Sequence, residues 1–268
     1  MSINVSIVLY NHSLAEVTLL VGTLRESSMV SSIFLIDNSP VYNSEFSMLP
    51  VTYIFNNKNL GYGAAHNIAI RKTIDQKLHY HLVVNPDITF DPIILKNIVN
   101  FMDNNSDTGL LMPKVYYPNG EIQYLCKLLP TPADLIFRRF LPRKWAQKQI
   151  AKFEMRAWGY NHTMDVPYLS GCFMFLRTEA VRQAGMFDER FFMYPEDIDL
   201  TRRIHRKYRT VFYPEVSVVH QHAQGSYKNL KLLFIHVWNM IKYFNKWGWV
   251  FDKERREVNN ETLKQLIN

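Results

Sequence analysis

The sequence predicts a doubly wound α/β fold, and three observations carry that prediction. Short Val- and Ile-rich runs alternate with helical stretches through the first half of the chain, the βαβα order that builds a helix-covered parallel sheet. The runs are almost continuously apolar, as strands buried on both faces must be. Each run also ends on polar residues, at the strand end where open α/β sheets bind ligands.

The strands are Val5–Leu9, Ile33–Ile36, Thr52–Phe55 and His81–Val84. Between and after them the spacing predicts helices over Leu14–Leu24, Ala64–Ile74 and Pro92–Met102, the last with Asp91 as its N-cap and Pro92 at its first position. The polar strand ends are Tyr10-Asn11, Asp37-Asn38, Asn56-Asn57 and Asn85-Pro86-Asp87. The second half is less regular. Val115–Tyr117 and Glu121–Tyr124 flank Pro118-Asn119-Gly120, a hairpin signal. Val166–Leu176 reads as a strand interrupted by Gly171, and Thr178 as the cap of a short helix ending at Gly185. A helix from about Ile198 to Lys207 precedes two short strands, Val211–Tyr213 and Val216–Val219. An aromatic helix from about Lys228 to Phe244 leads to a charged tail.

The 268 residues suffice for one large α/β domain, and 47% hydrophobic with 21% charged residues is a globular composition. The apolar run Val5–Tyr10 is too short for a signal-peptide core, and no run of roughly 18 apolar residues occurs. The expectation is a cytoplasmic protein whose two cysteines, Cys126 and Cys172, are reduced thiols. A net charge of +7 favours anionic partners.

Four stretches could carry chemistry. The carboxylate of Asp87, after Asn85-Pro86, could hold a hard divalent metal bridging two phosphates, or the tripeptide could be a turn. Asp37 could accept a hydrogen bond from a pyrimidine N–H or a ribose hydroxyl, or belong to the turn Asp37-Asn38-Ser39-Pro40. The loop Asn59–Asn67, with Gly61 and Gly63, could offer N–H groups to a phosphate or simply turn into a helix; His66 stands where a dinucleotide fingerprint would need its third glycine. The stretch Phe187–Leu200 holds acids among large aromatics. Glu196 and Asp197 at a helix start suit the helix dipole, but one carboxylate suffices for a cap, and a second one near a metal and an apolar wall could serve as a general base. His220 and His222 end a strand on one face, as metal or phosphate ligands or as exposed side chains.

Taken in order, Ile7–Asn11, Ile36–Ser39, Asn59–Asn67, Asn85–Asp87, Ser170–Met174, Gly185–Leu200 and Tyr213–His220 resemble the family 2 glycosyltransferases of GT-A fold over roughly residues 3–245. Within that family the sequence is most similar to bacterial rhamnosyltransferases of O-antigen and capsule assembly. The resemblance implies a GT-A-type, Rossmann-like central mixed sheet flanked by helices, with a C-terminal helical extension. It divides the chain into one catalytic domain, 1–226, with a nucleotide-binding lobe 1–113 and an acceptor-binding lobe 114–226, and the extension 227–268. It implies an inverting transferase with Asp197 as base and Glu196 beside it. Tyr10, Asn11, Asp37, Asn67, Arg71 and Asn85 would lie on the nucleotide, Asp87 and His220 on Mg²⁺ or Mn²⁺, and Asp188, Tyr194 and Gly171 near the acceptor. The donor is then dTDP-L-rhamnose or another dTDP- or UDP-linked sugar, and the acceptor a saccharide, free or polyprenyl-diphosphate-linked. The metal motif departs from the two-acid form, which places more weight on His220.

The segment 125–153 has seven Lys or Arg and one acidic residue among Leu135, Ile136, Phe137, Phe140, Leu141 and Trp145. Such a segment suits the anionic inner face of the plasma membrane. The later helix has a stripe at Leu230, Leu233, Phe234, Val237, Ile241 and Phe244 that would touch the same membrane or, as the simpler reading, pack on the domain or on a second subunit in a homodimer. A nucleotidyltransferase would need a glycine-rich basic loop after the first strand, where Tyr10–Ser13 has neither glycine nor a basic cluster. No nucleic-acid-binding signature accompanies the positive charge. A catalytically silent nucleotide-sugar binder stays open at this stage.

Overall fold

The computed structural model describes residues 2–134, 143–221 and 230–265. Nine strands among them form one mixed sheet. Its order is β3 (Thr52–Phe55), β2 (Val30–Asp37), β1 (Ile3–Leu9), β4 (Tyr80–Val84), β10 (Phe173–Arg177), β6 (Thr108–Tyr116), β11 (Arg209–His220) and β5 (Ile88–Thr89), with β8 (Met164–Asp165) also paired to β11. The four N-terminal strands run parallel, as their continuous apolar character requires, whereas β10 is antiparallel to both β4 and β6. A separate ribbon joins β7 (Cys126–Lys127) to β9 (Tyr168–Leu169).

Alternation along β1 builds two different layers. Ile3, Val5, Ile7 and Leu9 are fully buried in the main core. Against that face pack α1 (Leu14–Glu26), through Val17, Leu20, Val21 and Leu24, and α3 (Ile93–Asn104), through Ile94, Leu95, Ile98, Val99 and Met102. The opposite face of the sheet carries α2 (Tyr62–Asp75), whose Ala65 and Ala69 meet Phe34 and Ile36. Here β1 supplies buried Ser6, whose hydroxyl lies 2.7 Å from His66 Nδ1 and 2.8 Å from His81 Nε2. Thr73 Oγ1 completes the cluster, 2.7 Å from His81 Nδ1. Burial with no compensating anion drives the His81 imidazolium down to about 3, and lowers His66 in the same way, with the neighbouring ring of His81 adding to it.

The second half adds α4 (Arg143–Phe153), α5 (Thr178–Ala184), α6 (Glu196–His205), α7 (Leu230–Trp247) and α8 (Lys253–Lys264). The last two helices clasp α6. Arg202 of α6, 2% exposed, makes paired hydrogen bonds of 2.8 and 2.7 Å to Asp252 and another of 2.8 Å to Glu254. Its guanidinium lies 4.1 Å from the centroid of the Trp247 ring. Asn259 of α8 ties in the Leu129 backbone through both ends of its amide, at 2.8 and 2.9 Å.

Several sequence expectations change. The hairpin around Pro118–Gly120 forms, but its return arm makes only an isolated bridge, Tyr116 with Ile122, because the chain leaves the sheet at once. Val166–Leu176 is not one strand: β8 ends before it, and the chain then pairs in two pieces as β9 and β10. Val211–Tyr213 and Val216–Val219 are one strand, β11, whose register shifts between Tyr213 and Ser217 around Pro214. Thr178 does not cap α5; Arg177 precedes the helix, and the Thr178 hydroxyl is buried without a partner. Asp91 does cap α3, accepting the Ile93 N–H at 2.9 Å. The helix stripe is rotated: Asn239, Met240, Tyr243 and Phe244 are the buried residues of α7, while Phe234 and Val237 are exposed. Residues 135–142, His222 and the side chains of Arg143, Lys144, Trp145 and Leu230 lie outside the described residues. Both cysteines are buried free thiols. Among the described residues, no helix is long and apolar enough to cross a membrane.

Candidate active site

Parallel pairing brings the polar strand ends to one edge. Leu9 stands opposite Asp37 across the β1–β2 pair, and β4 flanks β1 on its other side. Asp37 and the Asn85–Asp87 turn therefore stand about two strand spacings apart, roughly 10 Å. Asp37 is fully buried; its Oδ1 accepts the Ser39 N–H at 2.8 Å and its Oδ2 the Tyr53 hydroxyl at 2.7 Å. A carboxylate has about four acceptor positions, so two remain for a ligand. Beside it opens a cleft of about 370 Å³ whose lining includes Asn11, His12, Asp37, Ser39, Tyr42 and Phe46. Asn11 has φ 57 and donates its N–H to Ser39 Oγ at 2.8 Å, and Tyr10 is half exposed at the rim.

The second part of the site forms where β5 pairs with the end of β11. His220 stands opposite Ile88, and the Gln221 N–H donates to the Asp87 carbonyl at 3.1 Å. This pairing sets His220 Nε2 3.3 Å from Asp87 Oδ1. Gln123 holds the ring from behind: its Oε1 lies 3.0 Å from His220 Nδ1, and its amide donates to the His220 carbonyl at 2.7 Å. Burial pushes the imidazolium down, but the Asp87 carboxylate and the Cys172 sulfur outweigh it and raise the group to about 10. With Nδ1–H donated to Gln123, the protonated ring turns Nε2–H towards the Asp87 carboxylate, and a bound cation would take the place of that proton at Nε2. One nitrogen and one carboxylate oxygen so placed fit a divalent cation that keeps its remaining positions for phosphate and water.

The third part is the start of α6. Asp197 Oδ2 accepts the Gly171 N–H at 3.0 Å, and its Oδ1 the Ile198 N–H at 2.8 Å. Glu196 is 5% exposed, and its Oε2 has no partner. Burial raises both carboxyls, and the Asp197 charge raises Glu196 further. The two backbone N–H groups favour the ionised form of Asp197, so Glu196 is the member of the pair that keeps its proton. Any side chain at Gly171 would press on Asp197 Cβ, 3.3 Å from an added Cβ. Asp199 is turned away into a charge cluster with Arg203 at 2.8 Å and Lys246 at 2.6 Å.

Tyr62, which no local signal marks, joins the second and third parts. Its hydroxyl lies 2.6 Å from the Gly171 carbonyl and 3.1 Å from Asn85 Oδ1. Asn85 Nδ2 in turn lies 3.5 Å from His220 Nε2.

Three of the residues expected near ligands make contacts within the protein. Asn67 donates to the Phe187 carbonyl at 2.9 Å and to Glu189 at 3.0 Å, and accepts the Phe187 N–H at 3.0 Å. Arg71 pairs with Glu189 at 3.2 Å. Both contacts arise because α2 runs under the loop before α6, and the Arg71 guanidinium stays half exposed. Asp188 is held by Arg190 and Lys246, at 2.6 and 2.8 Å, which keep its carboxyl well below the usual range; an acceptor would have to break that cluster. The glycine loop is likewise a clamp. The Tyr62 N–H donates to the Phe192 carbonyl at 2.9 Å, and at Gly61, with φ 86, an added Cβ would lie 2.1 Å from that oxygen. Tyr194, half-buried on the same loop, stacks edge-on against His236 of α7 at 5.0 Å.

Comparison with known proteins fits this arrangement. Residues 42–236 match the model of the family described as "Glycosyltransferase like family 2". The chain is 26% identical over 189 residues to the N-acetylglucosaminyl-diphospho-decaprenol L-rhamnosyltransferase of Mycobacterium tuberculosis, covering 63% of this chain and 58% of that protein. It is 25% identical over 191 residues to the low-salt glycan biosynthesis hexosyltransferase Agl10 of Haloferax volcanii, covering 67% and 55%. The chain thus spans little more than half the length of these relatives. In fold it is similar to GalNAc-T7, solved with UDP, GalNAc and Mn²⁺, with a TM-score of 0.60 at 16% identity over 82% of this chain and 43% of that one. A Pyrobaculum calidifontis mannosyltransferase in complex with GDP-Man and Mn²⁺ gives 0.53 at 13% identity over 82% and 56%. The sheet order and these likenesses agree with the GT-A-type fold expected from the motifs, and the match over residues 42–236 places the chain in glycosyltransferase-like family 2.

Proposed function

We propose that this protein transfers a sugar from a nucleotide-sugar donor to an acceptor hydroxyl with inversion at the anomeric carbon. The observation that carries the reading is the hydrogen-bonded line from Asp197 through Gly171, Tyr62 and Asn85 to His220 and Asp87. It sets a base and a phosphate-binding corner at fixed separation on one sheet edge. The cleft at Asp37 takes the base and ribose, with Tyr10 and Asn11 beside it. Asp87 and His220 would hold Mg²⁺ or Mn²⁺. Such an ion, when bound, offsets the charge that grows on the departing diphosphate. Asp197 accepts the proton of the acceptor hydroxyl as that oxygen bonds to the anomeric carbon and the bond to the diphosphate oxygen breaks on the opposite face. Gly171, whose lack of a side chain lets Asp197 pack against it, and Tyr194 on the loop before α6 would lie near the acceptor.

The name of the mycobacterial relative supports L-rhamnose as the sugar transferred and a diphosphate-polyprenol-linked saccharide as the acceptor; dTDP-L-rhamnose as its carrier and surface polysaccharide synthesis as the setting come from the family resemblance of the motifs. A UDP-linked hexose is the second reading, favoured by the Haloferax hexosyltransferase and by the UDP bound to GalNAc-T7. Thermal shift with dTDP, UDP and GDP, each with Mn²⁺, separates the two, because a ligand of the native state raises Tm by mass action. Selective stabilisation by dTDP is expected. Stabilisation by UDP alone would replace rhamnose with the second reading, and no stabilisation by any of them would contradict nucleotide-sugar transfer.

A further inference from the structure

Six of the twelve large apolar side chains that stand exposed among the described residues lie within one stretch of 18 residues. They are Phe234 (72%), Val237 and Trp238 on α7, and Trp249, Val250 and Phe251 (92%) in the turn to α8. They form one ridge. Residues 234, 238, 241 and 245 repeat at helical spacing on a single face, and the Trp249 indole donates to Asn245 Oδ1 at 2.8 Å, which carries the face into the turn. The opposite face of α7 is buried against the protein, so its packing is already satisfied without the ridge.

We infer that this ridge docks on a bilayer containing anionic lipid. The helix α7 carries no acidic residue; its Lys242 and Lys246 face the protein, bonded to the Arg190 carbonyl and to Asp188 and Asp199, so among the described residues the exposed cations beside the ridge are those of α8. Lys253, 89% exposed, and Arg256 flank the apolar turn at its start into α8. Two tryptophans and two phenylalanines on one exposed helix face and the turn after it, with two cations at the edge, have the composition of an interfacial element, apolar side chains in the acyl boundary and cations at the headgroups. A second copy of the chain is the poorer occupant, since it would bring another +7 molecule against this one. An anionic surface reverses that sign.

The buried face of α7 links the ridge to the site. Asn239 donates to the Met193 carbonyl and Lys242 to the Arg190 carbonyl, each at 2.8 Å. These residues belong to the loop that delivers Asp197. Docking therefore presents the base at the headgroup level, where the phosphates of a lipid-linked acceptor lie; this last step rests on the proposed function, whereas the docking itself does not.

Vesicle co-sedimentation tests it, with phosphatidylglycerol mixed into phosphatidylcholine against phosphatidylcholine alone. The wild-type protein is expected to bind the anionic vesicles, with weaker binding in high salt. Phe251→Ser with Trp238→Ser is expected to weaken the partition more than about tenfold, as is Lys253→Glu with Arg256→Glu at about 1 kcal/mol per basic residue near an anionic surface. All four positions are surface residues, and unchanged thermal melting confirms that the variants fold. Transfer to a water-soluble acceptor should be unchanged in both, so loss of vesicle binding and loss of transferase activity are separate results. Absence of vesicle binding by the wild type, binding unaffected by the serine substitutions, or a dimer in solution that those substitutions dissociate would each overturn the proposal.

Discussion

Asp87 Oδ1 and His220 Nε2 face each other at 3.3 Å, although they belong to opposite halves of the chain, because β5 pairs with the last residues of β11. Removing either donor should abolish Mn²⁺-dependent stabilisation by a nucleoside diphosphate, read as the loss of the Tm increment in Asp87→Ala and His220→Ala. Gln123→Leu leaves both donors in place but frees the ring that Gln123 orients. It should weaken apparent metal affinity about 10- to 100-fold, the usual cost of removing an outer-shell partner.

Tyr62 has one proton and two acceptors, the Gly171 carbonyl and Asn85 Oδ1. Tyr62→Phe keeps the ring and removes the tie between the base and the phosphate corner. A fall in kcat of about tenfold, equivalent to about 1.4 kcal/mol, is expected with little change in donor KM. A general loosening of the fold would raise KM as well, and steady-state kinetics distinguish the two.

The buried cluster of Ser6, His66, Thr73 and His81 makes stability depend on pH. Both histidines are depressed in the folded protein, His81 to about 3. Their neutral forms are fully compatible with folding above pH 6.5. As pH falls below 6.5 the unfolded chain takes up protons that the native state refuses, so stability declines towards pH 3 by about 1.4 kcal/mol per pH unit for each histidine. Urea unfolding at steps between pH 7.5 and 5 should show this decline, and His81→Gln should make it shallower.

Charged pairs on the two faces of the molecule should differ in what they contribute. The Arg202–Asp252 pair is buried on both sides, at 2% and 3% exposure. Asp252→Ala leaves a buried guanidinium with Glu254 as its one remaining carboxylate among the described residues and is expected to cost about 3–5 kcal/mol. The Arg71–Glu189 pair is half exposed, and Arg71→Ala should cost less than about 1 kcal/mol. Denaturant melts of the two variants give the comparison directly.

The first four strands were legible because strands buried on both faces must be apolar throughout, and their polar ends marked the ligand edge. The start of α6 was legible because Glu196 and Asp197 are adjacent in sequence. What sequence could not assign depends on partners distant along the chain. The contacts of Asn67, Arg71 and Asp188 with Phe187, Glu189 and Lys246 have no sign in the local sequence. Gln123 and Tyr62 carry no local signal at all; their roles exist only once His220 and Gly171 fold against them. Pro214 looked like a break between two strands, yet the sheet absorbs it as a register shift.

The most direct test of the proposed chemistry is the turnover of Asp197→Asn measured beside its donor binding. The asparagine keeps the size of the side chain and an oxygen able to accept the Gly171 N–H, but it cannot take a proton from an acceptor hydroxyl. Transfer should fall by about 10²- to 10⁴-fold, the usual contribution of a general base, while the nucleotide-induced thermal shift stays at the wild-type value. Turnover close to wild type, with donor binding intact, would contradict Asp197 as the base and with it the assembly of the site around α6.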